Sequence, residues 1–511
     1  MALCRCGETA MNREKISQVV RSNGLEWILV TAISLLLFLP FLSQQYDTNG
    51  LVEALAVESG NLFNKNHVLY RFIGDIAYRG LKLAGYSGRA VDVLQTINAL
   101  CGALAAGFAY LTYKRSTEDR LASVAGTLFL TCSFVYWFYS TDAAYITLAA
   151  MFASASMAVL LYAQSSVSAV FAGTLTALSI LTWQASLFLI PALSVLCLRI
   201  TRDVAQPVRR RAALIYSTTA CALSGLAYMS VALARHELNG ASSFIRWFTS
   251  YSAGGSLPMW GTWAAPRIFT AAGSALQSIL PVTLAIPLGQ LNWGVQRGRI
   301  AVDVALAGLL VVTILATIKA RWTAVWFLIA YAFFLPFIVW WDPFVSNWFF
   351  VPNLFLAGFF AAGLAPWFRN RFAPTAITGI LLLMAATNFV TTIWPRHKDI
   401  GLERRIAQCV AENMGPGDLL LAAEWGWPDY LEYLYGRRML SLISQFSEVG
   451  PWLENVHRIN GRAYIADPSR YSEAHLQWLR QQSGITPDEL LHLADTAAFS
   501  CYGRTILFVR M

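Results

Sequence analysis

The chain has 511 residues, 56% hydrophobic and 13% charged, with a formal net charge of +9. Soluble domains carry roughly a quarter charged residues, which excludes a wholly soluble protein. Nucleic acid is an unpromising partner despite the positive charge, because Lys and Arg stand in short clusters between apolar runs rather than in an aromatic-interleaved stripe.

A bilayer crossing takes about 20 mostly apolar residues. The first such run, 27–42, follows Arg13, Lys15 and Arg21 and leaves through Pro40-Phe-Leu-Ser-Gln-Gln45. With no small-x-small cleavage site, it reads as a retained first span and not a signal peptide. Further spans are predicted at 91–113, 121–139, 143–162, 212–234, 301–318, 322–341, 348–366 and 374–394. The stretch 167–200 is too long for one span and breaks at Thr182-Trp-Gln184, so it is predicted as two short helices joined by a tight turn. The stretch 268–288 is apolar, but Pro281, Pro287, Ser274, Gln277 and Ser278 argue against a full crossing.

Lys and Arg collect on the cytoplasmic side of membrane proteins. Lys114-Arg115, the 199–211 cluster, Lys319-Ala-Arg321 and Arg369-Asn-Arg371 are therefore placed inside, and the N-terminus with them; Arg297 and Arg299 dissent. The expectation is an odd total of about eleven to thirteen spans, with the C-terminal region outside. The outer segments are then 43–90, 140–142, 183–184, 235–267 and 342–347. Leu51, Leu55 and Leu62 recur at helical spacing in the first of these, which predicts one or two short helices on the membrane surface.

From residue 396 the composition becomes that of a soluble domain. A helix at 402–414 and the turn Gly415-Pro-Gly-Asp418 lead to a strand at 419–423. A helix at 429–435, strands at 439–443 and 463–466, a helix at 473–482 and a strand at 505–509 follow. That alternation predicts a small, mostly parallel α/β domain. The chain thus divides into a membrane part, 1–395, and a soluble part, 396–511, read as a binding or stabilising lid. Cys4-Arg-Cys6 lacks metal-ligand partners, and Cys101, Cys132, Cys197 and Cys221 sit in apolar runs. Cys409 and Cys501 are read as two buried thiols, with a disulfide as the alternative in an oxidising compartment.

The chemistry-bearing residues fall on the outer side. Asp47, in Gln45-Tyr-Asp-Thr-Asn-Gly50, is a candidate general base, against the plainer reading of an Asp in a turn. Asp142 ends the third span on the same side; its competing explanation is N-capping of the next helix. Within Asn66-His-Val-Leu-Tyr-Arg71, His67 can hydrogen-bond a substrate oxygen, and Lys65 and Arg71 can bind an anion. Tyr70 and Arg71 are otherwise interfacial anchors.

An outer loop that opens on an acidic residue and closes on a His-containing Leu-Tyr turn, with a second acidic residue after the third span, resembles the GT-C superfamily. Its members include the protein O-mannosyltransferase-like and aminoarabinose transferase-like membrane glycosyltransferases. The Leu-Thr-Trp-Gln hairpin, the segment Trp341-Asp-Pro-Phe-Val-Ser-Asn-Trp348 and the soluble tail extend the resemblance over nearly the whole chain. It implies a sugar moved from a polyprenyl-phosphate carrier to a glycan, lipid or protein acceptor at the outer face. Asp47 would be the base, Asp142 the second acid and His67 the histidine of the loop turn. The carrier phosphate would be met by Lys65, Arg71, Arg246 or Arg267, with Tyr70 beside them and His236-Glu237 as a further contributor. No metal ligand set is assigned, and a divalent ion stays compatible. A transporter or flippase places its charges at mid-membrane, often in repeated halves, which this sequence does not do. An O-antigen polymerase or ligase is the other alternative.

Overall fold

The structure is a computed structural model. It describes residues 23–510 apart from 65, 163–164, 202–203, 235–243, 245–246, 248–262, 282–292, 320–321, 472, 474–475, 477–478 and 481–483. The outer segment 235–267 therefore lies mostly outside the described residues, as does much of the helix expected at 473–482.

The membrane part starts with α1 (Asn23–Phe41). Two loop helices follow, α2 (Thr48–Ser59) and α3 (Val68–Leu83), then the long α4 (Ala90–Thr117). Next come α5 (Arg120–Cys132), α6 (Phe134–Ser140), α7 (Ile146–Tyr162) and α8 (Ser166–Thr182). They lead to α9 (Gln184–Arg199), α10 (Gln206–Ala234), α11 (Ala265–Gln277), α12 (Ile300–Ile318), α13 (Trp322–Trp341) and α14 (Pro352–Leu364). The last, α15 (Ala373–Asn388), runs through a π-turn at Phe389–Ile393 into Trp394–Lys398. Among the described residues six helices are long and apolar enough to cross a bilayer, a seventh crossing is the bent pair α5–α6, and α7, α8, α9 and α14 are shorter apolar helices. The chain is a multi-pass membrane protein. As expected, 167–200 divides into two helices at Trp183.

The span expected at 121–139 is broken: α5 and α6 meet at Ser133 with a bend of 65°. Backbone groups freed at such a break need partners inside the bilayer, and α11 and α15 supply them. The N–H groups of Phe134 and Val135 donate to Ile279 O and Ser278 O at 2.9 Å each. Asn388 Nδ2 donates to Cys132 O (2.7 Å) and Ile279 O (2.9 Å). Helix α11 has 13 residues and ends in the turn that carries these carbonyls, so the described part of 268–288 is a short helix plugged into the kink.

The two loop helices take the places expected of the first outer segment. On α3, Phe72, Ile76 and Leu83 are exposed along one side while Tyr70, Arg71, Gly74 and Asp75 are buried on the other. That division suits a helix lying in a membrane surface. Helices α2 and α3 are clamped by Arg71, whose Nε and Nη2 donate to Glu53 Oε2 (2.7 Å) and Oε1 (3.1 Å). Its Nη1 reaches the carbonyls of Asn61 and Phe63.

The tail contains α16 (Gly401–Asn413), β1 (Leu419–Ala422), α17 (Trp427–Tyr435), β2 (Arg438–Ser441), β3 (Ala463–Ala466), β4 (Ala494–Cys501) and β5 (Arg504–Val509). Sheet order is β2-β1-β3-β5-β4. Strand β1 pairs in parallel with β2 and β3, while β3–β5 and β4–β5 are antiparallel. The expectation of a mostly parallel layer is thus corrected: β4, absent from the sequence reading, forms an antiparallel hairpin with β5. Its sequence, Ala-Asp-Thr-Ala-Ala-Phe-Ser-Cys, is poor in β-branched residues and lies at a sheet edge, so it shows no strand pattern. Tyr502 and Gly503, both at positive φ, make the two-residue turn that a hairpin's twist favours. Cys409 and Cys501 form a disulfide, overturning the two-thiol reading, and tie α16 to β4.

Period-2 alternation gives the sheet two apolar faces. Leu419, Leu421, Leu440 and Ile465 form the tail's own core. Leu420, Ala422, Tyr464 and Ala466 face the other way, with Trp427 and Tyr430, in an apolar cluster continuous with the membrane part. The tail is therefore docked. Tyr433 Oη donates to Glu58 Oε1 at 2.8 Å, and Arg89 Nη2 to Tyr433 O at 2.6 Å.

Candidate active site

Two amide side chains one turn apart on α4 bring Asp47 and Asp142 together. Gln95 Nε2 donates to Ser43 O (2.9 Å) and Thr141 O (3.4 Å). Asn98 Nδ2 donates to Asp142 O and Ala144 O, both at 2.7 Å. The turn after α1 and the turn after α6 are thereby fixed to one helix face. Gly50 lets α2 approach the second turn: a Cβ at that position would lie 2.7 Å from Ala143 O.

The N–H of Asp47 donates to Asp142 Oδ2 at 2.9 Å. Asp47 is also the N-cap of α2, where its Oδ1 accepts from the N–H of Asn49 at 3.0 Å. Asp142 is fully buried, and its Oδ1 accepts the N–H of Ala143 at 2.7 Å. It does not cap α7, which begins at Ile146, so the competing explanation offered by the sequence does not hold.

The third member of the site is Arg396, at the junction of the last span and the tail. Its Nη2 donates to Asp142 Oδ2 at 2.5 Å and to the carbonyl of Gln45. The guanidinium lies 3.5 Å over the Phe138 ring, and the Arg396 carbonyl accepts the N–H of Gln44 at 2.8 Å. Arg396 is 9% exposed, and its Nη1 is buried without a hydrogen-bond partner among the described residues. The sequence reading missed it. Trp394-Pro-Arg-His-Lys398 stands out only as a basic group at the end of the last apolar run, which by itself does not single out Arg396.

These residues line a cavity of about 250 Å³ between the loop after α1 and the tail. Gln45, Tyr46, Asp47, Thr48, Phe138 and Arg396 form the membrane side, while Glu403, Gly426 and Tyr430 belong to the tail. Tyr430 Oη donates to Tyr46 O at 2.7 Å, and their rings lie near parallel at 6.2 Å. Burial, then the nearby negative charge of Asp142, pushes the Asp47 carboxyl up to about 6, against the pull of Arg396. A carboxylate with that affinity can accept a proton near neutral pH.

The remaining sequence candidates that are described are not among the residues lining the cavity. His67 is buried, stacked on Tyr145 at 3.3 Å between centroids, with Nδ1 3.2 Å from Thr182 O. Burial lowers its pKa to about 3, which keeps it neutral with Nδ1–H donating. Tyr70 is buried, with its hydroxyl 3.5 Å from Asn98 Oδ1. Arg71 is committed to Glu53. Arg267 donates to Trp341 O at 2.9 Å. Lys65, Arg246 and His236-Glu237 lie outside the described residues.

The pair Asp47 and Asp142 does not fit a divalent ion. Both oxygens of Asp142 already accept protein donors: Oδ1 takes the N–H of Ala143, and Oδ2 takes the N–H of Asp47 and the cationic Nη2 of Arg396. Among the described residues no group of three His, Cys, Asp or Glu side chains is placed to hold a metal.

No family model and no curated protein matches this sequence. Solved structures do. The Archaeoglobus fulgidus oligosaccharyltransferase in its apo form superposes with a TM-score of 0.51 at 13% identity, covering 95% of this chain and 74% of that one. The same enzyme with Zn and sulfate gives 0.50 at 12% identity, covering 94% and 72%. With an inhibitory peptide and a dolichol-phosphate it gives 0.50 at 13% identity, covering 95% and 74%. At this identity the likeness is one of fold: this chain shares the overall architecture of the archaeal oligosaccharyltransferase.

Proposed function

We propose that the protein is a membrane glycosyltransferase that moves a sugar from a polyprenyl-phosphate donor to a hydroxyl group on a glycan, lipid or protein acceptor of the cell envelope. The observation that carries this reading is Asp47: a carboxylate of raised proton affinity, held by its own N–H on Asp142, facing a cavity where the bundle meets the tail. The fold supports it, since the archaeal oligosaccharyltransferase with the same architecture binds a dolichol-phosphate and an inhibitory peptide.

A lipid-linked donor keeps its tail in the bilayer, so its anomeric carbon is met at the interface. In the transfer step the acceptor oxygen bonds to the anomeric carbon while the bond from that carbon to the phosphate oxygen breaks. The acceptor proton passes to Asp47, and the bond's electron pair leaves on the polyprenyl phosphate. Asp142 does not meet the acceptor. It positions Asp47 through the backbone and Arg396 through its side chain.

The site belongs on the outer face of the cytoplasmic membrane, with the N-terminus inside. Helix α4 starts beside the tail and ends at Lys114 and Arg115, so its basic end points away from the site, as an inner end should. The Cys409–Cys501 disulfide suits an oxidising compartment for the tail. The test is mass spectrometry of envelope glycans and glycolipids in cells without the gene and in cells complemented with wild type or Asp47→Asn. Loss of one glycan modification, restored by wild type and not by a normally folded Asp47→Asn, is expected; general-base removal costs roughly 10²- to 10⁴-fold. Full restoration by Asp47→Asn would favour a transporter and sink the transferase reading.

A further inference from the structure

We propose that Arg396 is a catalytic residue that binds the leaving phosphate through its unpartnered Nη1–H, so that a guanidinium built into the chain does what a bound divalent cation would otherwise do. The inference rests on the transferase reading and adds the identity of its electrophile.

Arg396 is held from three sides before any substrate arrives. Asp142 Oδ2 and the Gln45 carbonyl take Nη2, and the Phe138 ring lies against the guanidinium plane. The Nη1 group is buried and without a partner among the described residues, on a side chain that lines the same cavity as Asp47. A buried donor without an acceptor carries an uncompensated desolvation penalty, larger when the group is charged. A native site that keeps such a donor is poised for an acceptor supplied by a ligand. An anionic phosphate oxygen is the strongest match, because guanidinium–phosphate hydrogen bonds are charge-assisted.

The charges balance through the step. Asp142 and Arg396 form a neutral pair. When the acceptor hydroxyl gives its proton to Asp47, that carboxylate loses its negative charge as the departing phosphate gains one. The phosphate then faces Arg396 without an ionised Asp47 to repel it. A donor already fixed in a dry site also needs no reorganisation when charge develops, which is where such groups act most strongly. The cations singled out from the sequence offer less within the described structure, Arg71 being saturated by Glu53, Asn61 and Phe63.

The test uses the full chain in detergent and titrates farnesyl phosphate, with farnesol as the uncharged control, by calorimetry with and without EDTA. Wild type should bind the phosphate at least tenfold more tightly than the alcohol, unchanged by the chelator. Arg396→Ala should lose that preference while farnesol binding stays the same; a purely structural role would weaken both ligands alike. Because Arg396→Ala leaves Asp142 buried and unpaired, the double variant Arg396→Gln with Asp142→Asn, which removes both charges, provides the same readout in a neutral background. Phosphate binding abolished by EDTA and restored by Mn²⁺, or an undiminished preference in the double variant, would overturn the assignment. Asp47→Asn keeps the phosphate preference in this scheme while losing transfer. A variant that keeps both refutes the transferase reading and leaves the phosphate site standing.

Discussion

Two buried acid–arginine pairs, one within the loop helices and one at the mouth of the bundle, separate a clamp from a site. Glu53 and Arg71 meet through two hydrogen bonds, and the remaining Arg71 donor is met by the carbonyls of Asn61 and Phe63. Asp142 and Arg396 meet through a single nitrogen, the other terminal nitrogen has no partner among the described residues, and the arginine borders a cavity. Both pairs remove charge from water. Only the second leaves hydrogen-bonding capacity unspent. Buried charge by itself therefore says little about function, and unspent capacity facing a cavity says more.

The comparison breaks most directly at the clamp. Breaking one partner of a buried pair costs about 3–5 kcal/mol, so Arg71→Ala should lower the unfolding midpoint in detergent by a large margin. Replacing both with apolar residues, Glu53→Leu with Arg71→Met, should recover most of that loss and leave transfer intact. Abolished transfer in a stable double variant would make the clamp part of the site and erase the distinction.

A smaller effect is expected from the tail. Reduction, or Cys409→Ser with Cys501→Ser, should cost the tail about 2–4 kcal/mol, read as earlier unfolding of the tail by proteolysis. Because Glu403, Gly426 and Tyr430 line the cavity from α16, α17 and the loop before it, transfer should fall before the bundle unfolds. Transfer that survives a proteolysed tail would confine the site to the membrane part.

The smallest effect sharpens the role of Asp47. Its folded pKa of about 6 stands above the ordinary 3.8, so the folded state holds that proton more tightly than the unfolded chain does. The stabilisation it provides is complete below about pH 4 and is lost as pH rises through about 6. At pH 7 the ionised carboxylate costs stability, and Asp47→Asn, which keeps an N-cap, should raise stability by roughly 1–2 kcal/mol. Transfer should run the other way, rising with pH through about 6 as the base ionises. A pH–rate profile without that limb would remove Asp47 as the base.

The tail shows where sequence reading succeeds and stops. Leu419–Ala422 and Ala463–Ala466 stood out as short apolar runs, because a strand buried on both faces has no polar alternation to hide it. Ala494–Cys501 did not, because an edge strand with mixed exposure carries neither signal. The kink at Ser133 was invisible for a related reason: an apolar run gives its length but not whether Asn388, some 256 residues away, is waiting to satisfy a broken turn. Asp47 and Asp142 were legible as acids at span ends. Arg396 was not, since its role depends on what it touches across the tail junction.

What the sequence determined alone was the solvent of each region, where most of the apolar helices run, and two acids at span ends. Those properties follow from local hydropathy and from where charge is tolerated near a bilayer. Tertiary structure alone decided that Asn98 and Gln95 would draw two turns together, that Arg396 would pair with Asp142, and that a disulfide would close the tail. These are contacts between residues dozens to hundreds of positions apart, and a chain records such meetings only in its folded shape.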